Sequence, residues 1–127
     1  MTRVLLIGLA GALGTIARYL VGLGARAAFG AAFPYGTLIV NVAGCFLIAL
    51  VSQLAISTDL VSPTLRLTLT TGFMGGLTTY SSFNYETTEL LRERAWAAGF
   101  ANLGVTLVTC FGAGMLGLVV ARRVAGE

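Results

Sequence analysis

Asn41 is the one strongly polar side chain in the run GTLIVNVAGCFLIALVSQLAI, where it offers an amide donor inside an otherwise apolar stretch. Farther along, Asn102, Thr106 and Cys110 recur at i, i+4 and i+8, so a helix places all three on one face. Tyr80, Phe83, Asn84 and Thr87 follow i, i+3, i+4, i+7 spacing beside the hydroxyls of Ser81 and Ser82. An aromatic ring has a positive edge, so rings presented edge-on can meet a small anion without a fixed cation. Each group also has a plain structural reading, as interhelical hydrogen bonding or packing. Together, with the glycine-rich segment described below, they are better explained as the lining of a polar path.

Other chemistries lack their residues. The chain of 127 residues has no histidine, which removes the commonest general base and transition-metal ligand. Cys45 and Cys110 are the only cysteines, both deep in apolar runs and without CxxC spacing, so they read as small packing residues. GAGMLG at Gly112–Gly117 matches a dinucleotide-binding pattern. It follows no strand, however, and the chain ends before a ribose-binding acid. A net charge of +3, dispersed along the chain, is too small for a nucleic-acid surface. With conventional catalysis unsupported, the chain reads as a non-enzyme.

The elements that must carry these side chains are membrane helices. Apolar residues make up 57% of the chain and charged ones only 10%, against about 25% charged in soluble domains. A spanning helix takes about 20 apolar residues, so this length predicts an all-α protein of four spans forming a single transmembrane domain over residues 1–127. The spans are expected at about 4–23, 36–56, 64–91 and 96–121. The first is read as a retained helix, because its apolar pattern continues past Arg18 and exceeds a signal peptide's core of about 7–15 residues. Ala25 to Pro34 is expected to be a loop. Ser62 and Pro63 suit the cap and first position of the third helix. Within that helix the Gly75-Gly76 pair, set among threonines, predicts a break. Unwound backbone survives at membrane depth only where protein or an aqueous cavity satisfies it, and in transporters such breaks hold ions. Small-residue spacing such as Gly8-xxx-Ala12 reads as close helix packing. Trp96 is placed as an interfacial anchor.

All eight basic residues are arginine. Four spans put both termini on one side, with Arg3, Arg66, Arg122 and Arg123; Arg26, Arg92 and Arg94 lie on the other. Orientation follows a clear arginine and lysine excess, and four against three is barely one. A weak bias that still suffices and insertion in both orientations are equally compatible with these charges. Size favours the second, since four such helices cannot enclose a wide polar path alone, and a two-fold homodimer is the commonest closed solution. Arg18 lies well inside the first span and is read as snorkelling or standing in a vestibule, where it would concentrate anions.

TGFMGGLTTYSSF, at Thr71–Phe83, resembles the TGxxGGxTTFSTF signature of the Fluc (CrcB) family of small fluoride channels. The likeness extends to Gly14–Arg18, to GTLIVNVAG and to the small-residue fourth span, and so covers nearly the whole chain. The resemblance implies an antiparallel, dual-topology homodimer in the cell (inner) membrane, with two fluoride pathways along the subunit interface and a structural Na+ at the dimer centre. By position, the carbonyls of Gly75 and Thr78 would hold that sodium. Asn41, Tyr80, Ser81, Ser82, Phe83, Thr106 and Cys110 would line the fluoride pathway, and Arg18 would stand in the vestibule. Tyr80 replaces the family's usual first phenylalanine, and Cys110 replaces what is commonly a hydroxyl residue.

The function expected is passive export of cytoplasmic fluoride. The alternative is a small multidrug-type proton-coupled antiporter, also a four-span dual-topology dimer. That chemistry needs an intramembrane carboxylate; the first span has none, and Glu86 and Glu89 fall toward an interface.

Overall fold

The computed structural model describes residues 1–127, and every regular element in it is helical. Helix α1 (Thr2–Phe29) and helix α2 (Tyr35–Ser57) form the first two rods. The third rod is a composite. Helix α3 (Pro63–Leu67) runs into a π-helical segment (Thr68–Met74), then into the single turn α4 (Gly75–Leu77), and after an interruption into α5 (Tyr80–Arg92). Helix α6 (Trp96–Ala125) is the fourth. Helices α1, α2 and α6 are each long and apolar enough to cross a membrane. The chain is a multi-pass membrane protein.

Two boundaries differ from the sequence expectation. Helix α1 continues through Ala25-Arg26-Ala27-Ala28, a run of good helix formers, and stops where Gly30 takes a φ of 80° and returns its amide to the Arg26 carbonyl. At 1.5 Å per residue it is about 42 Å long, more than the hydrocarbon thickness of about 30 Å. Likewise α5 holds through Arg92, and Arg94 makes the tight turn into α6 with a φ of 62°. Arg26, Arg92, Arg122 and Arg123 all occupy last helical turns, where the helix dipole favours a cation.

The start of the third rod forms as the Ser62-Pro63 pair predicts. The Ser62 hydroxyl accepts the Leu65 amide at 3.2 Å, and Pro63 is the first helical residue. The break is displaced. Gly75 is helical, with φ −61° and ψ −36°, and the chain instead becomes extended at Thr78 and Thr79. The physical reason lies in α1. A Cβ on Gly76 would strike the Gly11 carbonyl, one on Gly72 would reach the Ile7 carbonyl, and one on Gly14 would strike the Phe73 carbonyl. These glycines let two backbones touch, and Gly76 serves that approach while staying helical.

Helix α2 packs most extensively on α6, and α1 on the third rod. Only 17 of the 127 residues are buried, so most apolar side chains have no partner within one chain. Leu9, Leu13 and Leu20 of α1, with Leu107, Val108 and Phe111 of α6, are exposed on the rod flanks. That surface belongs against lipid or another protein.

Candidate functional site

The interruption at Thr78–Thr79 is clamped by one side chain from α2. Asn41 donates its amide N–H to the Thr79 carbonyl at 3.0 Å and accepts the Thr79 backbone N–H on its oxygen at 2.8 Å. A buried asparagine thus replaces the helical partners that the break removes, which is what membrane depth requires of unwound backbone. One turn further along α2, Gly44 faces Thr78 so closely that a Cβ there would collide with the threonine methyl. Asn41 and Gly44 together form the seat for the break.

The clamp has a second effect. In a continuous helix the Thr79 amide would bond the Gly75 carbonyl and the Ser82 amide would bond the Thr78 carbonyl. Here the first goes to Asn41 and the second to the Thr79 hydroxyl, at 3.1 Å, as the N-cap of α5. The Gly75 and Thr78 carbonyls accept no backbone hydrogen bond in exchange. Both border one groove, and free carbonyl oxygens suit a hard cation.

That groove has a volume of about 690 Å³ and is lined by Asn41, Tyr80, Phe83, Thr106 and Cys110 as well as by Gly75 and Thr78. Phe83 is buried, whereas Tyr80 is 79% exposed. The two rings meet edge to face with centroids 5.8 Å apart, so they are held at an angle that directs ring edges into the groove. Thr106 is buried and donates to the Asn102 oxygen at 3.3 Å; Asn102 donates to the Thr87 hydroxyl at 2.8 Å, and Thr87 to the Phe83 carbonyl at 2.7 Å. This ladder ties α6 to α5 and fixes the height of Phe83. The polar stripe of α6 therefore divides: Asn102 glues helices, Thr106 belongs to ladder and groove alike, and Cys110 faces the groove.

Three residues selected from sequence stand outside the groove. Ser81 is exposed, and Ser82 is occupied at the α5 cap, where the Thr79 hydroxyl donates to its oxygen at 3.1 Å. Arg18 is partly exposed on α1 and forms no ion pair, the chain's only one being Arg92 with Glu89. Sequence reasoning missed the environment of Glu86. It lies beside Arg26, Tyr35 and Tyr85 in a second cavity of about 250 Å³. There one carboxylate oxygen accepts the Thr37 hydroxyl at 2.8 Å while the other is buried without a partner. Thr37 is four residues before Asn41 on α2, and that spacing was the available signal.

The model of the CrcB-like, camphor resistance (CrcB) family matches residues 5–118. The chain belongs to the CrcB family. Among its relatives, a protein of Sorangium cellulosum (strain So ce56) is 58% identical over 123 residues, which is 97% of each chain. One from Anaeromyxobacter sp. (strain K) is 48% identical over 99% of this chain and 100% of its own. One from Geobacter sp. (strain M21) is 43% identical over 96% and 98%. All three carry the name fluoride-specific ion channel FluC.

Proposed function

We propose that this chain is a fluoride-selective channel that exports cytoplasmic fluoride passively, as a transporter and not an enzyme. The observation that carries the reading is the groove itself, in which an amide, a hydroxyl, a thiol and two angled rings converge beside a clamped helix break. Fluoride must exchange its hydration shell for donors. The second amide hydrogen of Asn41, the Thr106 and Cys110 side chains and the ring edges supply them without a fixed positive charge that would trap the ion. The relatives' shared name points to the same ion.

The groove is open along one side, and the exposed Tyr80 ring has no cover within the chain. An antiparallel second copy supplies the missing wall, closing two fluoride pathways along the interface. The near-even arginine distribution permits such insertion. In that arrangement the free Gly75 and Thr78 carbonyls would hold a sodium ion. The ion would supply a fixed positive charge that joins the subunits; Asn41 and the Thr79 hydroxyl do the part of this chain by keeping those carbonyls unbonded. Arg18 would stand in a vestibule and raise the local anion concentration. Ser81 and Ser82 would contribute hydroxyls from the α5 end of the pathway.

The test is fluoride release from proteoliposomes, read with a fluoride electrode, with potassium movement shunted and no pH gradient. Release is expected to start when the shunt is opened. No release, or release only with an imposed proton gradient, overturns the channel reading; the second result would favour the proton-coupled antiporter.

A further inference from the structure

The groove wall holds a pair of groups that fluoride passage does not require. Cys45 of α2 and Cys110 of α6 both border the groove and both are partly exposed. The Cys110 thiol lies within hydrogen-bonding range of the Cys45 thiol. The helices that carry them form the most extensive pair in the fold, and Gly114 on α6 is in van der Waals reach of the Cys45 carbonyl. Two sulfurs projecting from closely packed rods are therefore held at a nearly fixed separation.

We propose that Cys45 and Cys110 form a two-coordinate binding site for a soft divalent cation of the mercuric type. Ligand number and charge decide the class. No group of three or more metal-ligating side chains exists in the chain, which excludes the tetrahedral set that zinc takes. Thiolates select soft ions, and two sulfurs alone satisfy one that prefers linear coordination. A monovalent soft ion between two thiolates would leave a net negative charge in a low-dielectric wall, which is costly. A divalent ion gives a neutral product. The reaction balances without an oxidant: mercuric chloride and two thiols give one sulfur–mercury–sulfur bridge, while two chlorides and two protons leave to water. Fluoride is a hard anion and does not compete for the bridged metal. On the channel reading, on which this consequence rests, the bridge obstructs the path beside Thr106.

The experiment treats the purified protein, reconstituted in lipid vesicles, with mercuric chloride and takes three readouts. Intact mass is expected to rise by one mercury less two hydrogens per chain, and both thiols are expected to be protected from maleimide. Fluoride efflux, taken as the ratio of treated to untreated, is expected to be lost and then restored by a dithiol. In Cys45→Ala and Cys45→Ser the metal is held by Cys110 alone. It should then be released at about a hundredfold lower concentration of competing monothiol, since joining two ligands on one scaffold typically gains about 10²–10⁴. Two mercury ions per wild-type chain, or release from wild type and both variants at the same monothiol concentration, overturns the site. If efflux is missing before any metal is added, the channel reading fails, while the mass and thiol counts still decide this one.

Discussion

The α1 face and the α2 face of the third rod are built from opposite materials. Against α1, side chains are absent, and the backbones of Gly14, Gly72 and Gly76 meet those of their neighbours directly. Against α2, a polar side chain does the joining, with Asn41 bonded to both backbone groups of Thr79. The first contact fixes position and tolerates no added atom. The second fixes a conformation, and it leaves the carbonyls of Gly75 and Thr78 free. One rod is thus anchored dry on one flank and opened for ions on the other.

Substitutions can break either contact separately. Gly76→Val is expected to have the largest effect, because its Cβ meets the Gly11 backbone, which cannot rotate away. No folded, monodisperse protein should survive size-exclusion chromatography. Asn41→Leu comes next. It orphans a buried N–H and a buried C=O, each costing about 1–3 kcal/mol, and should lower the unfolding temperature and also abolish fluoride efflux. Asn102→Leu removes the ladder from Thr106 to Thr87, with an expected loss of about 0.6–2 kcal/mol by thermal unfolding. Gly75→Ala is the sharpest control beside Gly76. The nearest atom to its added Cβ is the Thr70 carbonyl oxygen at 3.8 Å, so stability should change by less than about 0.5 kcal/mol. Tyr80→Ile should likewise leave the unfolding temperature unchanged, since the ring is exposed, yet it should reduce efflux while Tyr80→Phe retains it. If both Tyr80 variants transport as the parent does, Tyr80 is not on the pathway.

These contrasts also show which features the sequence made readable. Hydropathy exposed the helices, and a lone asparagine in an apolar run marked a residue that must bond something at depth. Helical spacing placed Thr106 and Cys110 on one face. The position of the break was not readable from the glycine pair. A glycine in a membrane helix reports close approach as readily as unwinding, and only the identity of the neighbour, here α1, separates the two. The deciding signal was the Asn41–Gly44 pair, three apart on another helix, and its meaning depends on which helix packs opposite. The partner of Glu86 was hidden for the same reason. Thr37 and Glu86 are 49 residues apart in sequence, and no local pattern joins them.

The π segment carries a last consequence, for length instead of composition. A π turn has the geometry of an α-helix that has absorbed an extra residue. Deleting one residue between Thr68 and Met74 would allow ordinary i to i+4 bonding to resume. At 3.6 residues per turn it would also rotate everything beyond it by about 100° relative to what precedes it. Gly72 and Gly76 could then no longer both face α1 while Thr79 faced Asn41. The third rod is therefore expected to tolerate many conservative replacements in this stretch but no change in its residue count.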